Sequence, residues 1–161
     1  MIREANKSDS KQIIELEKRY YDGHSISEEL LIKWMENGNF FVIEQDSKIV
    51  GSIYFEFLNE IKDLPWHHES VKGLGKYIYI SEIAVDSKDR VSLLFSRVLE
   101  VAKENNCEGI IWLTGEKANH DKIEQGFLKT NSFKVFKPVE NWEAAPGYFL
   151  QDHSLWLMKL K

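Results

Sequence analysis

The sequence predicts an α/β fold of the α+β kind, with a mixed, mostly antiparallel central sheet flanked by about four helices. Three observations carry this. The run YIYISEIAV (Tyr77–Val85) is β-branched and aromatic on both faces, with only Ser81 and Glu82 polar, as a strand in the middle of a sheet must be. A turn, DSKDRVS, leads from it into an amphipathic helix with Leu94, Val98, Val101 and Ala102 on one side and Arg97, Glu100, Lys103 and Glu104 on the other. Gly109–Thr114 (GIIWLT) is a second apolar strand, and a strand–helix–strand unit of this length makes a parallel crossover, whereas the hairpin upstream is antiparallel.

The other elements follow in order. Ile2–Ala5 is a short strand, and Asn6 with Asp9 three residues on caps a helix whose buried stripe is Ile13, Leu16 and Tyr20. Ser25 with Glu28 forms a second capping pattern, Leu30, Leu31 and Trp34 make an apolar face, and Gly38 ends that helix. Phe40–Glu44, the turn Gln45-Asp46-Ser47-Lys48 and Ile49–Phe57 read as a hairpin. Asn59–Lys76, with a proline, a histidine pair and two glycines, is a long loop of the kind that carries function. Past the second apolar strand, His120–Asn131 is a helix, Phe133–Phe136 opens a strand, Pro138–Gly147 is an irregular loop and Tyr148–Leu160 is a closing strand.

Composition narrows the function classes. In 161 residues, 43% hydrophobic and 12% aromatic, there is enough apolar material for one core and no break for a second, so a single domain over residues 1–161 is expected. A net charge of −5 with no basic run argues against nucleic acid as a partner. No apolar stretch approaches the roughly 20 residues of a membrane helix, and MIREANKSDS has no apolar signal core, so no membrane partner and a soluble, cytoplasmic protein are expected. Cys107 stands alone, which excludes internal disulfides and cysteine metal clusters and reads as a small buried residue. His67 and His68 beside Trp66 lack a third spaced ligand, so no metal is expected, and a metal-dependent hydrolase lacks its ligand set. His24, His120 and His153 are dispersed and support no Ser-His-Asp arrangement.

The turn after the central strand draws the chemistry. A helix that starts beside the carboxyl end of such a strand offers unpaired N–H groups and a positive dipole end to an anion such as a pyrophosphate. Arg90, Val91 and Ser92 stand there, with Arg90 adding charge; a solvated turn capped by Ser92 explains the same residues.

The order of elements resembles the GNAT superfamily of N-acetyltransferases along nearly the whole chain. MIREANKSDSKQIIEL looks like the family's opening, and FFVIEQDSKIVGSIYF like its hairpin, with Gly51 where glycine is common. ISEIAVDSKDR resembles the strand and turn leading into the acyl-CoA pyrophosphate loop, FLKTNSF the phenylalanine-tyrosine-x-x-x-glycine-phenylalanine segment, and SLWLMKLK the last strand. Departures accompany the likeness. The family's loop is Arg or Gln, two variable residues, Gly, one variable residue, then Gly or Ala, because the backbone approaches the pyrophosphate closely. Aligned on Arg90, Leu93 and Phe95 occupy the small-residue positions; the family's tyrosine, which can protonate the leaving thiolate, falls on Leu128, and its asparagine on Asp121.

The resemblance implies a GNAT-like fold that moves an acetyl or related acyl group from acetyl-CoA to a primary amine of a small molecule or peptide, and it is compatible with a homodimer. Implied roles are Glu82 as base, the N–H groups of Ile83 and Val85 as donors to the thioester oxygen, and the turn Arg90, Val91, Ser92, Leu93, Leu94 and Phe95 as pyrophosphate cradle. Beside these stand plainer readings: Glu82 in an ion pair at the sheet edge, and Ile83 and Val85 as core. A loop over Trp142–Tyr148, with Glu143, would border the acceptor or merely pack its aromatics. The rival function is a catalytically inactive GNAT-like binding or regulatory module whose pyrophosphate notch Leu93 and Phe95 have filled.

Overall fold

The computed structural model describes residues 1–59, 75–139, 142–145, 148–150 and 152–161. Its elements are β1 (Ile2–Glu4), a 3-10 turn (Lys7–Asp9), α1 (Ser10–Tyr20), α2 (Glu28–Glu36), β2 (Phe40–Gln45), β3 (Lys48–Leu58), β4 (Tyr77–Val85), α3 (Asp89–Glu104), β5 (Gly109–Gly115), α4 (Asn119–Thr130), β6 (Lys134–Val139), β7 (Trp142–Ala145), β8 (Tyr148–Leu150) and β9 (His153–Lys159). Antiparallel pairs join β1 to β2, β2 to β3, β5 to β9 and β6 to β9, whereas β4 and β5 are parallel. This is the expected mixed, mostly antiparallel sheet with helices. No described helix is long and apolar enough to cross a membrane. The chain forms two compact units, Met1–Phe55 with Glu82–Val98, and Glu56–Ser81 with Leu99–Lys161.

In the first unit the strands run β1, β2, β3 and then the end of β4. Arg3 ties its edge together: Nη1 and Nη2 grip both oxygens of Asp9 at 2.8 and 2.9 Å, and Nε donates to Glu44 at 2.6 Å. The forked guanidinium holds the Asp9 carboxyl below the usual carboxylate range despite burial. Asp9 also accepts the Asn6 N–H while Asn6 accepts that of Ser8, so the Asn6–Asp9 cap that the sequence predicts is formed, but on the 3-10 turn that leads into α1. Ile13 and Leu16 are fully buried on α1. The cap of α2 is Ser27, whose Oγ accepts the Leu30 N–H at 3.2 Å, rather than the expected Ser25. Only Ser27 directly precedes the first helical residue with an extended backbone. Gly38, at φ 79°, terminates α2 as predicted. Asp46 and Ser47, at φ 50° and 63°, turn β2 into β3 with the double positive φ that tight hairpins use.

In the second unit the order is the start of β4, β5, β9 and β6. Tyr77–Ile80 pairs with Gly109–Trp112, and β9 covers the other side of β5 along its length. Leu58, Tyr79, Ile111, Val139 and Leu155 form a core cluster. Trp112 donates its indole N–H to Glu124 at 2.8 Å, with the rings of Phe127 and Phe133 against it. The C-terminal elements differ from those expected. The expected loop Pro138–Gly147 contains β7, which pairs with β8, and the expected single strand Tyr148–Leu160 is two, β8 and β9. Asp152, at φ 53°, breaks the extended run between them. Most of the predicted loop Asn59–Lys76, with Trp66, His67 and His68, lies outside the described residues.

Candidate functional site at the junction of β4 and α3

Strand β4 ends at Val85 as predicted, but the turn is shorter and the helix begins earlier than the sequence pattern suggests. Helix α3 opens at Asp89, not after Ser92. The Arg90 N–H bonds the Ser87 carbonyl at 3.0 Å and the Val91 N–H that of Lys88 at 3.2 Å. Residues further along a helix give their N–H groups to carbonyls one turn back, so the positive end of α3 lies at Lys88 and Asp89 rather than over Val91–Phe95. The physical reason is the apolar stripe: Val91, Leu94 and Phe95 are buried, which is possible only if this segment is already helical. Ser92 and Leu93 face outward. Gly51 makes room on β3, where an added Cβ would stand 3.0 Å from Ile43 Cδ1 and 3.3 Å from Leu94 Cδ1.

The charge at this helix start is mixed. Arg90 Nε donates to Asp86 Oδ1 at 2.6 Å and its Nη2 to Gln45 Oε1 at 2.7 Å. Asp89 sits in the first turn, where it stabilises the helix and opposes a second anion.

Glu82 is half-buried on β4 immediately before Ile83, whose side chain, like that of Val85, is core. The backbone of Ile83 is held by a side chain from the first helix. The Tyr21 hydroxyl donates to the Ile83 carbonyl and accepts the Ile83 N–H at 3.4 Å. Asp86, in contrast, sends its N–H to Val50 of β3 at 3.0 Å. Successive residues of a strand direct their backbone groups to alternate edges, so Ile83 and Val85 share the edge away from β3.

Tyr21 and its neighbour Glu17 are absent from the site that the sequence predicts. Glu17 is fully buried on α1; one oxygen accepts the Ile26 N–H at 3.3 Å, and the other has no hydrogen-bond partner among the described residues. Burial pushes its carboxyl up to about 7, with the Ile26 N–H pulling weakly the other way. The signal for Glu17 was present in the sequence, since position 17 falls on the stripe of Ile13, Leu16 and Tyr20. The Tyr21 contact spans 62 residues and leaves no local signal.

Elsewhere, His120, Asp121 and Glu124 bring ligand atoms within 4.8 Å of one another. Two of the three carry the local fold: Asp121 accepts the N–H groups of Gly115 and Ala118, each at 3.0 Å, and Glu124 accepts from Trp112. Leu128, at the position of the family's tyrosine, is fully buried. Cys107 is a buried free thiol, with its pKa pushed up by desolvation, as a packing residue should be. The side chains of the predicted acceptor border, Trp142–Tyr148, lie outside the described residues.

The family model of the acetyltransferase (GNAT) family matches residues 10–125. No curated protein matches the sequence. Among solved structures, the chain is similar to the GphF GNAT-like decarboxylase in complex with isobutyryl-CoA, at TM-score 0.77 and 16% identity over 100% of both chains. It is also similar to the PaiA N-acetyltransferase of Thermoplasma acidophilum in complex with coenzyme A, at TM-score 0.70 and 13% identity over 99% of this chain and 98% of that one. YncA of Salmonella typhimurium with acetyl-CoA gives TM-score 0.70 and 16% identity over 100% of this chain and 94% of that one. Identities this low speak to the fold alone.

Proposed function

The chain belongs to the acetyltransferase (GNAT) family, and on that premise we propose that it moves an acyl group, acetyl in the simplest case, from acyl-CoA to a primary amine of a small molecule or peptide. The observation that carries this reading is the end of β4. It combines a half-buried carboxylate at Glu82 with backbone groups of Ile83 and Val85 on the edge away from β3, next to the positive end of α3.

In this reading Glu82 takes a proton from the acceptor ammonium, and the neutral amine attacks the thioester carbon. The Val85 N–H meets the oxygen as negative charge develops on it. The pyrophosphate is received at the start of α3, by the backbone N–H groups of Lys88 and Asp89 and by Arg90 once it turns from Asp86. Ser92 and Leu93 border that place on the outer face of the helix, while Val91, Leu94 and Phe95 hold the helix on its core.

A second reading, the non-catalytic binding or regulatory module, is favoured by one observation: Arg90–Phe95 is regular helix with Leu94 and Phe95 in the core, where a glycine loop would lie against phosphate. Thiol release separates the two. Incubation with acetyl-CoA and a panel of primary amines should liberate free CoA in proportion to acetylated amine, detected by mass spectrometry. CoA that binds without turnover for any amine supports the module instead.

A further inference from the structure

We propose that Tyr21 is the acid of this reaction, handing its phenolic proton to the CoA sulfur as the thioester bond breaks. The inference rests on the acyl-transfer reading and supplies what that reading lacks. At the position of the family's tyrosine stands Leu128, a buried alkyl group with no proton to give. Tyr21 comes from a different element, the end of α1. Its hydroxyl already occupies the backbone of Ile83, donating to the carbonyl and accepting the N–H, one residue after Glu82 and on the strand edge shared with Val85.

Local backbone chemistry fixes this placement. Tyr21 closes α1 with its N–H on the Glu17 carbonyl at 2.7 Å. Asp22 and Gly23 then take positive φ, 52° and 94°, and the Gly23 N–H returns to the Lys18 carbonyl at 2.6 Å, stopping the helix at the point where the ring faces β4. Tyr20 packs edge-on against the Tyr21 ring, with centroids 4.8 Å apart. The Ile83 N–H on the phenolic oxygen is also the group that would stabilise a transient phenolate.

The protons balance. The acceptor ammonium gives one proton to Glu82, and the free amine forms the C–N bond. Collapse of the tetrahedral adduct breaks the C–S bond with its electron pair going to sulfur, which takes the Tyr21 proton. The phenolate recovers a proton from the nitrogen as it becomes an amide, and Glu82 releases its own to solvent. The Tyr21 hydroxyl must leave the Ile83 carbonyl for this, so acyl-CoA competes with that contact.

The test is Tyr21→Phe, which keeps the ring, assayed with acetyl-CoA and with the acetyl thioester of an electron-poor aromatic thiol whose thiolate leaves unprotonated. The expected result is a kcat lower by about 100-fold or more with acetyl-CoA, a KM within about threefold of the parent, and a much smaller deficit with the activated thioester. Substituting 3-fluorotyrosine at position 21, which keeps the shape and a dissociable phenolic proton, should restore most of the rate and guards against a folding defect in the phenylalanine variant. Equal deficits with both donors, or a change in KM with kcat intact, would overturn the proposal in favour of a packing role. If the parent transfers acyl groups normally and Tyr21→Phe matches it, Tyr21 alone is dismissed. If the parent releases no CoA with any amine, the acyl-transfer reading is overturned and this proposal with it.

Discussion

Arg90 reaches back one helical turn to Asp86, Nε to Oδ1 at 2.6 Å, and this pair sits at the start of α3 where an acyl-CoA pyrophosphate is proposed to dock. Both side chains are partly exposed, so the pair itself contributes little to stability. Its consequence is electrostatic, because Asp86 repels phosphate and occupies the one arginine of the turn. Asp86→Asn should therefore tighten acetyl-CoA binding by about 3- to 10-fold, and Arg90→Gln should weaken it by a similar factor. Calorimetric titrations at low and high salt check this, and the gap between the two variants should shrink as salt rises.

Glu17 gives a pH prediction with a definite sign. Its folded pKa of about 7 lies above the ordinary carboxyl value of 4.5, so folding favours the protonated form. Below the lower value both states are protonated and Glu17 has no effect. Stability falls as pH rises from there to about 7, and the deficit then levels off on the order of 3 kcal/mol. Glu17→Gln, which can still accept the Ile26 N–H, should remove that slope and leave the variant more stable than the parent at pH 8. Urea denaturation across this range measures it, and parallel pH profiles for the two proteins would contradict the assignment.

Leu93 and Phe95, a matched pair of obstructions when aligned on a glycine loop, part company in the structure. Leu93 is 45% exposed and Phe95 only 5%. Leu93→Gly should cost about 1 kcal/mol of helix propensity and open the outer face of α3. Phe95→Gly adds a buried cavity and should cost about 4 kcal/mol or more, enough to unfold a marginal domain. Denaturant melts of the two single variants distinguish them, and any gain in acetyl-CoA affinity is expected from Leu93→Gly alone.

Glu82→Gln addresses the proposed base. With a neutral amide there, an acceptor amine of pKa near 10 must lose its proton to solvent, so the rate should fall by about 100-fold at pH 7 and the loss should narrow as pH rises. A pH–rate profile that overlays the parent's removes Glu82 from the role.

Much of the fold was legible because the decisive signals are local. Tyr77–Val85 has no alternative to a strand, and the Asn6 and Asp9 cap and the terminating Gly38 are short-range chemistry that survives packing. The start of α3 was misplaced although its signal was present. Val91 continues the stripe of Leu94, Val98 and Ala102 back by one turn, but it stands alone among the polar residues of DSKDRVS, which read as a turn as far as Ser92. The pairing of β7 with β8 was hidden because a proline and a glycine in the sequence Ala144-Ala145-Pro146-Gly147 signal a loop as readily as a strand-to-strand connection. Of the candidate site, Glu82 and the turn after β4 could be proposed from sequence, whereas Tyr21 could not. No spacing rule links a helix C-terminus to a strand 62 residues on, and only folding brings its hydroxyl to Ile83.

The most direct test of the central claim is backbone hydrogen exchange with and without saturating acetyl-CoA. If the acyl donor lies along the β4 edge with its pyrophosphate at the start of α3, exchange should slow in peptides covering Glu82 to Arg90 and in the segment around Tyr21. Unchanged exchange across Glu82 to Arg90 at saturating acetyl-CoA, with or without protection elsewhere, would contradict the claim.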